Sequence, residues 1–146
     1  MVDEAVEVAL LAAADVLDAS VLDALRQLRG KAQPEFVDHI IALFMETALT
    51  LIAELKNGLA KRDIALLHRA SHALKACSAS IGAASLSARC KELESAARAG
   101  SVADASAHVS AIAGEYARVE AVLIRRLAEP RAAQTETATP LYDANP

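Results

Sequence analysis

The sequence predicts an all-α protein, an antiparallel up-down-up-down four-helix bundle with an additional short N-terminal helix. Three observations predict it. Hydrophobic residues make up 54% of the 146-residue chain and aromatics only 3%, and the excess is alanine and leucine, which lose little freedom in a helix. Apolar residues recur at three- and four-residue spacing through four successive segments, the period that gathers them on one helix face. Connections of only a few residues separate the four, so neighbouring helices must run antiparallel. The length suits one hydrophobic core and is short for two.

Residues 1–17 read as a helical or poorly ordered lead-in, in which acidic residues precede the apolar run where a secretory signal carries basic ones. The bundle domain is expected over 18–128. Asp18 or Ser20 can cap a short helix to about Arg29, with Val21, Leu22, Leu25 and Leu28 on one side. Gly30 to Gln33 turns the chain, and Pro34 suits the first position of a long helix to about Asn57, because its missing N–H costs nothing there. Phe36, Ile40, Leu43, Phe44, Leu51 and Leu55 are the expected seam, widened by Val37, Ile41 and Ile52. Gly58 is read as the C-terminal cap.

Asp63 is the expected N-cap of the next helix and Gly82 the structural mark of its end. Between them, Leu66, Ala70, Leu74, Cys77 and Ile81 fall on one stripe. Ser85 can cap the third bundle helix, whose core stripe is Leu86, Cys90, Leu93 and Ala97, with Lys91, Glu94 and Arg98 on another face. Ser101 with Asp104 resembles a capping box. It opens a last helix with Ala105, Val109, Ile112, Tyr116, Val119 and Leu123 as seam, ending by about Ala128. Residues 129–146, polar, Thr- and Pro-containing and without periodicity, are expected to be disordered.

Composition narrows the function. A net charge of −4 with dispersed Lys and Arg makes nucleic acid and anionic lipid poor partners. Mean hydropathy is positive at +0.27, but no window approaches the 18 or so charge-free apolar residues of a bilayer span, so no membrane insertion is expected. Cys77 and Cys90 lie on apolar stripes, which suits reduced core thiols in a cytoplasmic setting. No glycine-rich phosphate loop or nucleotide fingerprint is present, so the chain is not expected to use ATP.

His72 stands nearly opposite the core stripe of its helix. Its neighbours on that face are His68 at i−4, Lys75 at i+3, and the small Ala65, Ala76 and Ala79. A neutral imidazole is a nucleophile near neutral pH. Phosphoryl transfer asks for positioning and for positive charge near the equatorial oxygens, which an ammonium at i+3 can supply. By itself the pair is more simply a surface histidine with a lysine nearby. His68 and His72 at i, i+4 could also bind a transition metal, but no clear third ligand follows, with Glu94 and Asp63 the nearest candidates, so no metal site is expected. His39 beside the long helix's seam reads as partly buried and structural, and His108 as solvated.

The wider segment SHALKACSASIGAASLSARCKELE resembles the signature of histidine-containing phosphotransfer (HPt) domains of multistep phosphorelays: a histidine, leucine and lysine at i+2 and i+3, small residues, then glycine at i+10. Here these are His72, Leu74, Lys75, Ala76, Ser78 and Gly82. The resemblance runs from about Leu22 to Leu123, including the phenylalanine-bearing long helix, the Leu93-Glu94 pair and the tyrosine-bearing last helix. It implies that His72 carries the phosphoryl group on Nε2 with Lys75 as electrostatic partner, and that Arg98, 26 residues on, is a weaker supporting charge. It implies a docking surface of His68, Ala65, Ala76 and Ala79 for response-regulator receiver domains and for a hybrid histidine kinase, whose C-terminal domain this type of module can be. It implies a monomeric carrier with no cofactor of its own and no ATP turnover, the Mg2+ being on the receiver. Ala76 departs from the glycine many members carry after the lysine. The alternative is a helical module that docks on a receiver or kinase without being phosphorylated.

Overall fold

Local chemistry sets most helix ends. The computed structural model describes residues 16–25, 27 and 35–127. The short helix α1 spans Ala19–Leu25. It is opened by Asp18, whose carboxylate accepts from the Ser20 backbone N–H at 3.0 Å and the Ser20 hydroxyl at 2.6 Å. Its expected run to Arg29, the turn before Pro34, most of the lead-in and the C-terminal tail lie outside the described residues. Val16 and Leu17 are buried in the core, so the bundle begins before residue 18.

Helix α2 spans Phe36–Lys61 and buries Val37, Ile41, Phe44, Ala48, Ile52, Leu55 and Gly58. The widening residues of the expected seam are therefore its centre, while Leu43 is 54% exposed and Phe36, Ile40 and Leu51 are half-buried. The helix is rotated because small residues count: Ala48 is fully buried, and a Cβ on Gly58 would stand 3.2 Å from the Leu67 side chain. Gly58 is thus a packing residue, not the cap. The helix continues one turn and closes at Arg62, which takes the left-handed conformation at φ 52°. By length and composition alone α2 could cross a membrane, but its buried stripe is the bundle core.

Helix α3 spans Ile64–Ser80, and the Asp63 carboxylate accepts from the Leu66 N–H at 3.0 Å, as expected of an N-cap. Its buried stripe is Leu67, Ala70, Ser71, Leu74 and Ser78, continued by Ile81. Leu66 and Cys77 are only half-buried, because two serines take core positions that a hydrophobicity pattern skips. Ser71 does so by donating its hydroxyl to the Leu67 carbonyl at 2.7 Å. Gly82 ends the run with φ +89°.

Helix α4 spans Ala84–Arg98 and buries Leu86, Cys90, Leu93 and Ala97 as expected, and Glu94 as well. Ala83 stands at its N-cap, so Ser85 lies inside the first turn instead of capping it. Helix α5 spans Ala105–Leu127 on the expected seam, with Glu115 added. The Asp104 carbonyl accepts the His108 N–H at 3.0 Å, leaving Ser101 outside the first turn and the capping box unformed.

In the bundle α2 packs against α3 and α5, and α4 against α3 and α5, a closed ring of four. Phe44 and Tyr116 meet across it, ring centroids 6.3 Å apart. α1 covers the end that holds the α3–α4 turn: the Asp18 N–H donates to the Gly82 carbonyl at 2.8 Å, and Arg126 of α5 pairs with Asp23 at 2.9 Å.

Candidate functional site

The α3–α4 hairpin builds the site. His72 lies ten residues before Gly82 and Glu94 eleven after Ala83, so an antiparallel pair turning between them brings the two level. The turn is held by its backbone, with the Ala83 N–H on the Ser78 carbonyl at 2.8 Å. Beside the site the Ser87 hydroxyl donates to the Lys75 carbonyl at 3.0 Å, tying the helices together.

The His72 side chain is 61% exposed, and its Nδ1 is bonded to the Glu94 carboxylate. The other carboxylate oxygen accepts from Lys75 Nζ at 2.7 Å, and Arg98 approaches it to 3.7 Å. Glu94 itself is 3% exposed. The Lys75 hydrogen bond, with help from that of His72, outweighs the cost of burial and holds its carboxyl at about 2, against an ordinary 4.5. An ionised carboxylate only accepts. The Nδ1 of His72 is therefore the donor of this bond, and Nε2 lies on the side of the ring away from Glu94.

The structure thus joins three residues singled out from the sequence, His72, Lys75 and Arg98, and adds Glu94, read there as part of a surface row. The signal for Glu94 was its distance from the turn. A charged residue beside Leu93 gave no hint of burial, since carboxylates are rarely buried unless paired. Ala65, Ala76 and Ala79 are exposed around His72, while His68 is half-buried with its ring stacked on that of His72, centroids 6.3 Å apart and planes within 10°. Gly82 holds the turn at the end of this helix. His39 is exposed and His108 half-buried, the reverse of expectation, because the rotation of α2 turns His39 outward. Among the described residues no three His, Cys, Asp or Glu side chains gather as a metal cluster.

The site is thus an exposed imidazole with one nitrogen anchored on a buried carboxylate, carried on a four-helix bundle, and similarity to known proteins gives the class of module. The Hpt domain family model matches residues 39–122. The fold is also similar to the crystal structure of histidine-containing phosphotransfer protein B (HptB) from Pseudomonas aeruginosa PAO1, with a TM-score of 0.71 and 26% identity over 76% of this chain and 93% of that one. No curated protein sequence matches the chain. The chain belongs to the Hpt domain family, and its function is histidine phosphotransfer in a phosphorelay, as a phosphocarrier of the kind that works with receiver domains and kinases.

Proposed function

We propose that His72 is the phosphoacceptor and that the chain carries the group between receiver aspartates. The observation that supports this most directly is the bond between His72 Nδ1 and Glu94, which leaves Nε2 outward on an exposed ring. The Nε2 lone pair attacks phosphorus in a receiver's aspartyl phosphate. The Nε2–P bond forms, the P–O bond to aspartate breaks, and the carboxylate leaves with the bonding electrons. The proton stays on Nδ1. Attack makes the ring cationic, and the Glu94 carboxylate, already ionised and in place, stabilises that charge without reorganising. Lys75 holds Glu94 and adds positive charge beside the transferring group, with Arg98 further out. Mg2+ belongs to the receiver in this reading.

The same reading makes the bundle, from about residue 16 to 127, a monomeric cytoplasmic carrier without ATP chemistry. His68, Ala65, Ala76 and Ala79 form the surface on which a receiver or a hybrid kinase docks, the small side chains of the three alanines letting its backbone approach. Incubation with a phosphorylated receiver carrying labelled phosphate tests it. Acid-labile, alkali-stable label on the His72 peptide is the expected result. A receiver that binds while passing no label would support instead a docking module that is not phosphorylated.

A further inference from the structure

We propose that His68 and His72 form a two-nitrogen site for a divalent transition ion of the Zn2+ class, and that filling it competes with phosphorylation. The two rings lie one helical turn apart, nearly parallel, with centroids at 6.3 Å. His72 has the arrangement found at imidazoles that ligate metals: one nitrogen bonded to a carboxylate, which fixes the tautomer and raises ligand basicity, and the other presented outward. Glu94 is thus the outer partner of a ligand, whereas the sequence suggested it only as a ligand itself. Zn–N bonds of about 2.0–2.1 Å need the ring nitrogens about 3–4 Å apart. His68 is the ring that closes the gap, because among the described residues no hydrogen bond holds it, while His72 is anchored.

The remaining coordination positions go to water, so the site opens to solvent instead of caging the ion. Lys75 and Arg98 against Glu94 leave one net positive charge beside it, which disfavours permanent occupancy and makes the ion exchangeable. The competition is chemical: the Nε2 lone pair of His72 serves either the metal or phosphorus. This half of the proposal rests on His72 being the phosphoacceptor, whereas metal binding does not.

The test uses the whole chain, zinc chloride, and phosphoramidate as a small phosphoryl donor that involves no receiver. Imidazole NMR signals are followed during zinc titration of wild type, His68→Gln and Glu94→Gln, and phosphorylation of His72 is then timed with and without zinc. One equivalent of zinc is expected to shift both rings together in wild type and to slow phosphorylation as the site fills. Glu94→Gln is expected to weaken zinc binding about 10–100-fold. His68→Gln is expected to show the same rate with and without zinc, whatever its metal-free value. Zinc that moves neither ring, or equal zinc affinity in wild type and His68→Gln, would overturn the proposal. Failure of metal-free wild type to be phosphorylated would overturn the carrier reading, and with it the competition, even if the rings still bind zinc.

Discussion

His72 on α3 and Glu94 on α4, 22 residues apart, are bonded through Nδ1 and a carboxylate that is almost wholly buried. One helix thus carries the imidazole and its neighbour engages one of the two ring nitrogens. The same carboxylate takes Lys75 on its second oxygen, so removing any member of the trio disturbs the others.

His72→Gln should abolish phosphoryl acceptance at a stability cost within about 1 kcal/mol, since the glutamine amide can still donate to Glu94 in place of Nδ1. Lys75→Ala should slow transfer without removing the acceptor. From the sequence alone it would be as harmless to stability as any exposed substitution. Because it strips a partner from buried Glu94, the structure raises its cost to about 1–3 kcal/mol. Urea unfolding of both variants, beside label transfer, checks the order.

Glu94→Gln should flatten the acid limb of the stability curve. The folded carboxyl titrates near 2 and the unfolded one near 4.5, so between those values the unfolded state binds more protons and stability rises with pH. The contribution is full above about 4.5 and lost as pH falls through about 2. Melting temperatures from pH 2 to 6 for wild type and Glu94→Gln should converge toward the acid end. Parallel curves would show that Glu94 is not held ionised.

Gly82→Ala should destabilise the chain by about 1–3 kcal/mol. Gly82 sits at φ +89°, and a Cβ there would meet the Asp18 carbonyl oxygen at 2.7 Å. Both effects strike the contact that seats α1. Faster amide exchange in residues 16–25, ahead of the other helices, is the expected signature.

Cys77 and Cys90 are both free thiols. Burial above all, with Cys77 and Glu94 nearby, pushes the Cys90 thiol up to about 12. Since the thiolate is the reactive form, a thiol reagent at pH 8 should label half-buried Cys77 in the native protein and Cys90 only after unfolding. Peptide mass mapping reads this directly, and early label on Cys90 would contradict it.

The four-helix class, the Asp63 cap, the end of α3 at Gly82 and the seams of α4 and α5 were legible along the chain. So were His72 and Lys75 on one outward face. Each depends on residues within a turn or two, and helical periodicity carries such information faithfully. The phase of α2 was not legible, because Val37 and Phe36 begin equally regular apolar series and only the close approach of α3 at Gly58 selects between them. Ser71, Ser78, Glu94 and Glu115 were missed as buried residues for a related reason: a polar side chain enters a core when a partner or a tight space waits for it there, and neither is written beside it in the sequence. The engagement of His72 Nδ1 was decided last and furthest away. It follows from a carboxylate that reaches the ring only once the chain has turned at Gly82 and α4 has packed against α3, so the tertiary structure alone determined which nitrogen faces the solvent.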